Sequence, residues 1–177
     1  LATATTLDLL MIHAAGIGDL EYVRQLLAQG ASVHAQDATG KTALIAAAYR
    51  NDLPMVDILI EAGSDVNKQD ETQQSCYLIS TSEGYLELLQ RTLRAGANVH
   101  SKDSFNGTGL IRAADRGHVE IIRELLKTDI EIDHVNNLGW TALLEAIILG
   151  DGGTRHTEVV QLLVEAGADV NLADSNG

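Results

Sequence analysis

Cysteine, proline, aromatic residues and positive charge are all scarce in this sequence, and each scarcity excludes something. The single cysteine, Cys76, rules out an internal disulfide and a zinc site built on Cys ligands. Lys and Arg number 12 against 25 Asp and Glu, a formal charge of -13. A surface for a nucleic-acid backbone needs clustered cations, so no nucleic acid is expected as a partner. No window approaches the ~18 uninterrupted apolar residues of a membrane span, so no membrane insertion is expected. One Trp, one Phe and four Tyr cannot fill the centre of an ordinary domain of 177 residues, although 45% of the chain is hydrophobic. The interior must be built from Leu, Ile, Val and Ala.

The glycines reveal how. Gly30, Gly63 and Gly96 follow apolar helical runs at intervals of 33 residues. At the same period Thr42, Ser75, Thr108 and Thr141 fall into register, as do Val33, Val66, Val99 and Ile132, and as do Asp37, Asp70, Asp103 and Asn136. Beyond Gly150 the register slips by five, which marks residues 151–155 as an insertion forming a loop extension; Gly167 and Asp174 then resume the pattern.

Each unit reads as two short antiparallel helices and an extended connector. Thr42, Thr108 and Thr141 stand where an N-cap hydroxyl is wanted, just before runs such as Ala43-Leu44-Ile45-Ala46-Ala47-Ala48. A polar break at Asn51-Asp52, or at Arg116-Gly117-His118, precedes a second apolar run that ends at a glycine in a left-handed cap. Connectors such as residues 64–70 are too polar and too rich in turn formers for a helix, and leave the helical layer as hairpin-like loops. The apolar side chains of one unit recover less free energy than ordering its backbone costs, so units must stack. Small residues at Ala14, Ala47, Ala114 and Ala146 let neighbouring helix pairs approach closely.

Two stretches carry a recognisable pattern: Asp37-Ala38-Thr39-Gly40-Lys41-Thr42-Ala43-Leu44 and Glu158-Val159-Val160-Gln161-Leu162-Leu163-Val164-Glu165-Ala166-Gly167-Ala168-Asp169-Val170-Asn171. They resemble the ankyrin repeats, and the resemblance covers the chain as five units, residues 4–36, 37–69, 70–102, 103–135 and 136–173, within a single domain 1–177. The last unit resembles a subgroup common among bacterial ankyrin proteins. The resemblance implies an all-α repeat solenoid, an elongated and slightly curved stack of helix pairs with β-hairpin-like loops along one edge.

Departures from the family pattern are specific. Its Pro is replaced by Ala43, Cys76, Gly109 and Ala142, and its His by Ile45, Leu78, Ile111 and Leu144. Unit three has Gln73 where Gly belongs and Ser80-Thr81 where Ala-Ala belongs. Unit four has Asp129 at the glycine cap, where Asp tolerates a left-handed backbone better than most residues. The weakest packing is expected around these two units. Unit one lacks the opening Asp and Gly, which suits an N-terminal cap. The second helix of unit five stays apolar on several sides, and Asp174-Ser175-Asn176-Gly177 reads as the start of a further unit, so the natural chain is expected to continue. Since the first residue is Leu1, the compartment stays open: cytoplasmic by default, periplasmic or secreted if a leader precedes it.

No constellation for catalysis stands out. Gly40-Lys41-Thr42 ends like a phosphate loop, but that motif needs Gly where Ala35 stands. Asp151-Gly152-Gly153 lies between two helices of one unit with no preceding strand. Of the six His, His34 and His100 share a column two units apart, and His118 and His156 occupy a column where the family itself has His; none forms a metal-binding helical pair. Cys76 has no recognisable base partner. No enzyme, metal or cofactor is expected.

The only Phe and the only Trp, Phe105 and Trp140, fall in opening turns, where filling a core would not put them. Leu138 shares the column of Phe105, so an apolar stripe along the tips of units four and five is expected. Trp140 either folds over Gly107 and seals the stack or meets a partner, and meeting a partner is the expected role. The family's recognition face comprises the variable positions of the opening turn and the end of helix one. Here these are Lys41, Tyr49 and Arg50; Glu71, Gln74 and Glu83; Phe105, Asp115 and Arg116; and Leu138, Trp140, Ile148 and Leu149. Residues 129–177 hold nine acidic groups against Arg155 alone, a field that could steer a basic partner to the apolar end, or serve solubility. The expected function is non-catalytic binding of another protein, with a basic or apolar contact surface, through the loop tips and the concave helix-one face. The alternatives are a structural or regulatory arm of a larger protein, or a small-molecule or enzymatic site if His118, His156, Asp115 and Glu145 converge.

Overall fold

The structure, a computed structural model, describes residues 3–171; Asp174 and the further unit expected at 174–177 lie outside them. The described residues form ten helices and no strand: α1 (Thr6–Ile17), α2 (Leu20–Ala28), α3 (Ala43–Tyr49), α4 (Leu53–Glu61), α5 (Cys76–Glu83), α6 (Leu86–Arg94), α7 (Gly109–Asp115), α8 (Val119–Leu125), α9 (Ala142–Ile148) and α10 (Thr154–Glu165). None is long and apolar enough to cross a membrane. The connectors are not strands but turns, each closed by backbone hydrogen bonds.

Two compact units divide the chain, Leu1–Ile79 with Arg91–Ala97 and Ser80–Gln90 with Asn98–Gly177. In the first, α1 packs on α2 and α3, and α3 on α4. Thr5 opens α1 with a reciprocal cap, its hydroxyl accepting from the Asp8 amide while Asp8 accepts from the Thr5 amide. In the second, α7 packs on α8 and α9, and α10 covers α8 and α9. Ala14 and Ala47 in the first unit and Ala114 and Ala146 in the second are buried where these helices meet. The positions that replace the His of the repeat pattern are apolar and mostly buried, as at Ile45, Leu78 and Ile111, so dispersion and burial take over there from a polar network.

The departures resolve one by one. Gly109 makes room for Thr81: a Cβ on Gly109 would lie 2.7 Å from Thr81 Cγ2 and 3.0 Å from its hydroxyl. Thr42 and Thr141 cap as expected, accepting from the amides of Ile45 and Leu144 at 3.2 Å. Thr108 does not; its hydroxyl is buried without a hydrogen-bond partner. Asp129 does not take the left-handed conformation adopted by Gly30, Gly63, Gly96 and Gly167. There α8 ends instead with the Thr128 hydroxyl donating to the Leu125 carbonyl and accepting from the Ile130 amide, which satisfies groups a glycine cap would otherwise handle. The insertion is shorter as a loop than expected. Only Asp151, Gly152 and Gly153 stand outside a helix, while Thr154 and Arg155 extend α10 to 12 residues. Gly153 is the N-cap, and Arg155 is held by the Gly117 carbonyl at 3.0 Å and Glu120 at 3.1 Å.

Candidate functional site

Four turns are built to one plan. The first residue of each, Asp37, Asp70, Asp103 or Asn136, accepts through Oδ1 from the amides two and four residues on, at 2.9 to 3.1 Å. Its own amide donates to the carbonyl four residues on, and its carbonyl accepts from the amide three residues on. That closure forces a left-handed residue at the fourth position of the turn: Gly40 (φ 78), Gln73 (φ 62), Asn106 (φ 58) and Gly139 (φ 79). At the third position Thr39 and Thr72 fold their hydroxyls back onto Oδ1 of Asp37 and Asp70, at 2.7 and 2.6 Å, whereas the apolar Phe105 and Leu138 stand exposed on the tip. In Asp37 the donors hold the carboxylate below its ordinary pKa even though burial pushes it up; they are the Thr39 hydroxyl and the amides of Lys41 and Thr39.

In the second unit the tips that carry Phe105 and Leu138 are joined by the Asn137 amide donating to the Phe105 carbonyl at 2.8 Å. Phe105 and Leu138 are 54% and 52% exposed, and with Leu149 they wall a groove of about 150 Å³. Between these walls it is lined by Asp103, Arg112, Asp115, Asn136 and Glu145 beside the buried Ile111 and Gly107. The Arg112 guanidinium lies 6.0 Å from the Phe105 ring centre and 3.5 Å from carboxylate oxygens of both Asp103 and Asp115. Glu145 is 5% exposed; its Oε1 accepts from Asn136 Nδ2 at 2.9 Å, and its Oε2 is buried with no hydrogen-bond partner. Burial raises the Glu145 pKa above its ordinary value. The Asn136 hydrogen bond and Arg112 pull it back, while Asp115 and Asp103 push it further up.

Of the residues expected on the recognition face, this unit brings Phe105, Asp115, Leu138 and Leu149 to the groove. Ile148 is exposed near it on α9, whereas Trp140 is only part-exposed and does not line it. Arg116 pairs with Glu83 at 3.3 Å and donates to the Ser82 carbonyl at 2.9 Å. In the first unit Lys41 lies 5.7 Å from the Tyr49 ring centre, Arg50 and Glu71 are exposed, and the Gln74 side-chain oxygen is buried without a partner.

The four residues whose convergence would mark a small-molecule or enzymatic site, His118, His156, Asp115 and Glu145, do not converge as a group. Asp115 and Glu145 share the groove, but the histidines have structural work. His118 Nε2 donates to the Ser82 carbonyl at 2.9 Å and His156 Nε2 to the Asp115 carbonyl at 2.8 Å. Each ring lies against a glycine in the left-handed region, Gly84 for His118 and Gly117 for His156. Burial, with Arg116 and Arg155 nearby, lowers the His118 pKa despite its bond to Ser82. Among the described residues no three His, Cys, Asp or Glu are placed to hold a metal ion. Burial pushes the Cys76 thiol up to about 12, which leaves it without thiolate at neutral pH.

Arg112, Asp103 and Asn136 were missed as functional candidates, and Glu145 was named only as a member of a site with His118, His156 and Asp115. Asp103 and Asn136 belong to the turn column and Glu145 to the interior of a helix, so their pattern reads as structural. The one available signal is the spacing of Arg112 and Asp115, three apart on one helix face.

The family model for ankyrin repeats in three copies matches residues 4–72 and 77–174. Among solved structures, an ankyrin repeat domain from Acinetobacter baumannii is 47% identical, with a TM-score of 0.91, covering 94% of this chain and 85% of that one. A second ankyrin repeat protein is 32% identical, with a TM-score of 0.89 and the same coverage of each chain. No curated protein matches the chain.

Proposed function

Because the chain belongs to the ankyrin repeat family, whose repeats are generally protein-interaction modules, we propose that it is a non-catalytic module that captures a partner protein through its turn tips and the helix-one face. One observation supports this above the others. Phe105 and Leu138, from successive turns, stand about half exposed on rigid tips and wall a single groove with Leu149. Large apolar side chains held out of a core on a preformed surface are the anchors from which interfaces draw most of their energy. Trp140, being part-exposed, contributes less than expected from its column. Lys41, Tyr49, Arg50, Glu71 and Gln74 in the first unit, and Glu83, Arg116 and Ile148 in the second, are the further contacts of this reading, each within its own unit. In this reading the whole chain acts as one domain of five repeats.

The test is affinity capture from an extract of the source organism with wild type and with Phe105→Ala/Leu138→Ala. Truncating two anchors removes at least ~2 kcal/mol, so a specific partner is recovered by wild type and largely lost from the variant. Equal recovery of every co-purifying protein by both forms would exclude this face.

A further inference from the structure

The groove between the Phe105 and Leu138 tips has apolar walls with acidic groups between them. Three carboxylates, Asp103, Asp115 and Glu145, face one guanidinium, Arg112. Arg112 is already shared between Asp103 and Asp115, and Asp103 Oδ1 is taken by two turn amides. Glu145 is the member left over. It is more than nine-tenths buried, its Oε2 has no partner, and leaving such an oxygen unpaired is costly unless something completes it.

We propose that this groove is the receptor for a single lysine side chain of the partner protein, an inference that rests on the protein-binding reading above. The aliphatic stem lies along Phe105, Leu138 and Leu149, and the ammonium group donates to the Glu145 carboxylate. Charge complementarity selects a cation, since the groove carries three acids against one base. Size selects a side chain, because about 150 Å³ is below the ~300 to 1,000 Å³ of sites that enclose a drug-sized molecule. Lysine is favoured over arginine because Glu145 Oε1 is engaged by Asn136, which leaves one buried oxygen unpaired, and a guanidinium fork is matched by two.

Selection from a phage-displayed random-peptide library on the intact chain supplies the probe. Recovered peptides whose binding is lost on Phe105→Ala/Leu138→Ala are synthesised with each lysine in turn replaced by norleucine, which keeps the stem and removes the charge. The expected result is one lysine whose replacement weakens binding by about thirtyfold, ~2 kcal/mol. On Glu145→Gln the same replacement should have an effect below about threefold. The norleucine measurement on wild type needs no variant of the groove floor, so a misfolded Glu145→Gln would not spare the idea. Peptides that need Phe105 and Leu138 but tolerate loss of every lysine would overturn the lysine site and leave the binding face standing. Peptides indifferent to Phe105 and Leu138 would overturn both.

Discussion

Thr81 and Gly109 are two departures from the repeat pattern that the structure explains as one. Wherever the pattern puts Ala at the position of Thr81, the facing helix starts without a glycine. Here a Cβ on Gly109 would meet Thr81 Cγ2 at 2.7 Å, its hydroxyl at 3.0 Å and its Cβ at 3.1 Å, all inside a fully buried contact. Gly109→Ala alone gains ~0.5 to 1 kcal/mol of helix preference and pays overpacking of ~1 to 3 kcal/mol. Thr81→Ala alone loses a buried methyl, ~0.8 kcal/mol, and its hydroxyl's hydrogen bonding, ~1 kcal/mol. In the double variant the preference, methyl and hydrogen-bond contributions recur unchanged, and the overpacking is largely relieved. The cycle therefore isolates that one quantity, a coupling of ~1 to 3 kcal/mol in favour of the double variant. Urea denaturation of the four proteins, followed by far-ultraviolet circular dichroism, measures it. For a chain of this length each kcal/mol corresponds to ~2 to 4 °C in Tm, so thermal melts give an independent reading. Additivity within ~0.5 kcal/mol would show that Gly109 owes nothing to Thr81.

The caps separate in the same assay: Thr141→Val costs ~1 kcal/mol because a working N-cap is lost, whereas Thr108→Val is neutral or stabilising because that hydroxyl is buried and unpartnered. A larger loss at position 108 than at 141 would contradict the assignment. Gly84→Ala meets both a φ of 75° and the His118 ring, 2.7 Å from its Nδ1, so it should destabilise by at least ~1 to 2 kcal/mol in urea, and a neutral result would refute the close approach. The Glu145 pKa is raised in the fold, so the native state holds that proton more tightly than the unfolded chain and the group's contribution declines as pH rises from about 4.5 through the folded value. Urea midpoints for Glu145→Gln relative to wild type should therefore climb between pH ~4 and ~7, and a flat difference would remove Glu145 from the set of strained groups. Cys76, pushed up to about 12 and buried, should resist a thiol-specific reagent at pH ~8 until the protein is unfolded, and rapid labelling of the folded chain would show otherwise.

The sequence by itself determined the repeat and its helices. A 33-residue period in Gly, Thr, Val and Asp columns leaves a thin layer of paired helices as its solution, because local caps, turn residues and apolar spacing all agree. It also placed Phe105 and Leu138 on the turn tips, since a column repeats its environment. What tertiary structure alone decided are the exceptions to column logic. Asp129 sits in a glycine column yet avoids the left-handed region because Thr128 closes the helix end. Thr108 sits in a capping column yet caps nothing. Gly109 depends on a side chain 28 residues earlier in the chain. The groove floor belongs to the same class: Asp103 and Asn136 keep their turn column, while Glu145 shares a column with Ala46, Ile79 and Arg112 that has no common chemistry to read. Their carboxylates and the unpaired Oε2 come together only because packing buries them and brings three carboxylates into one groove with two apolar tips. Periodicity reports what each position shares with its equivalents, and burial and partnership are properties of neighbours that differ from one repeat to the next.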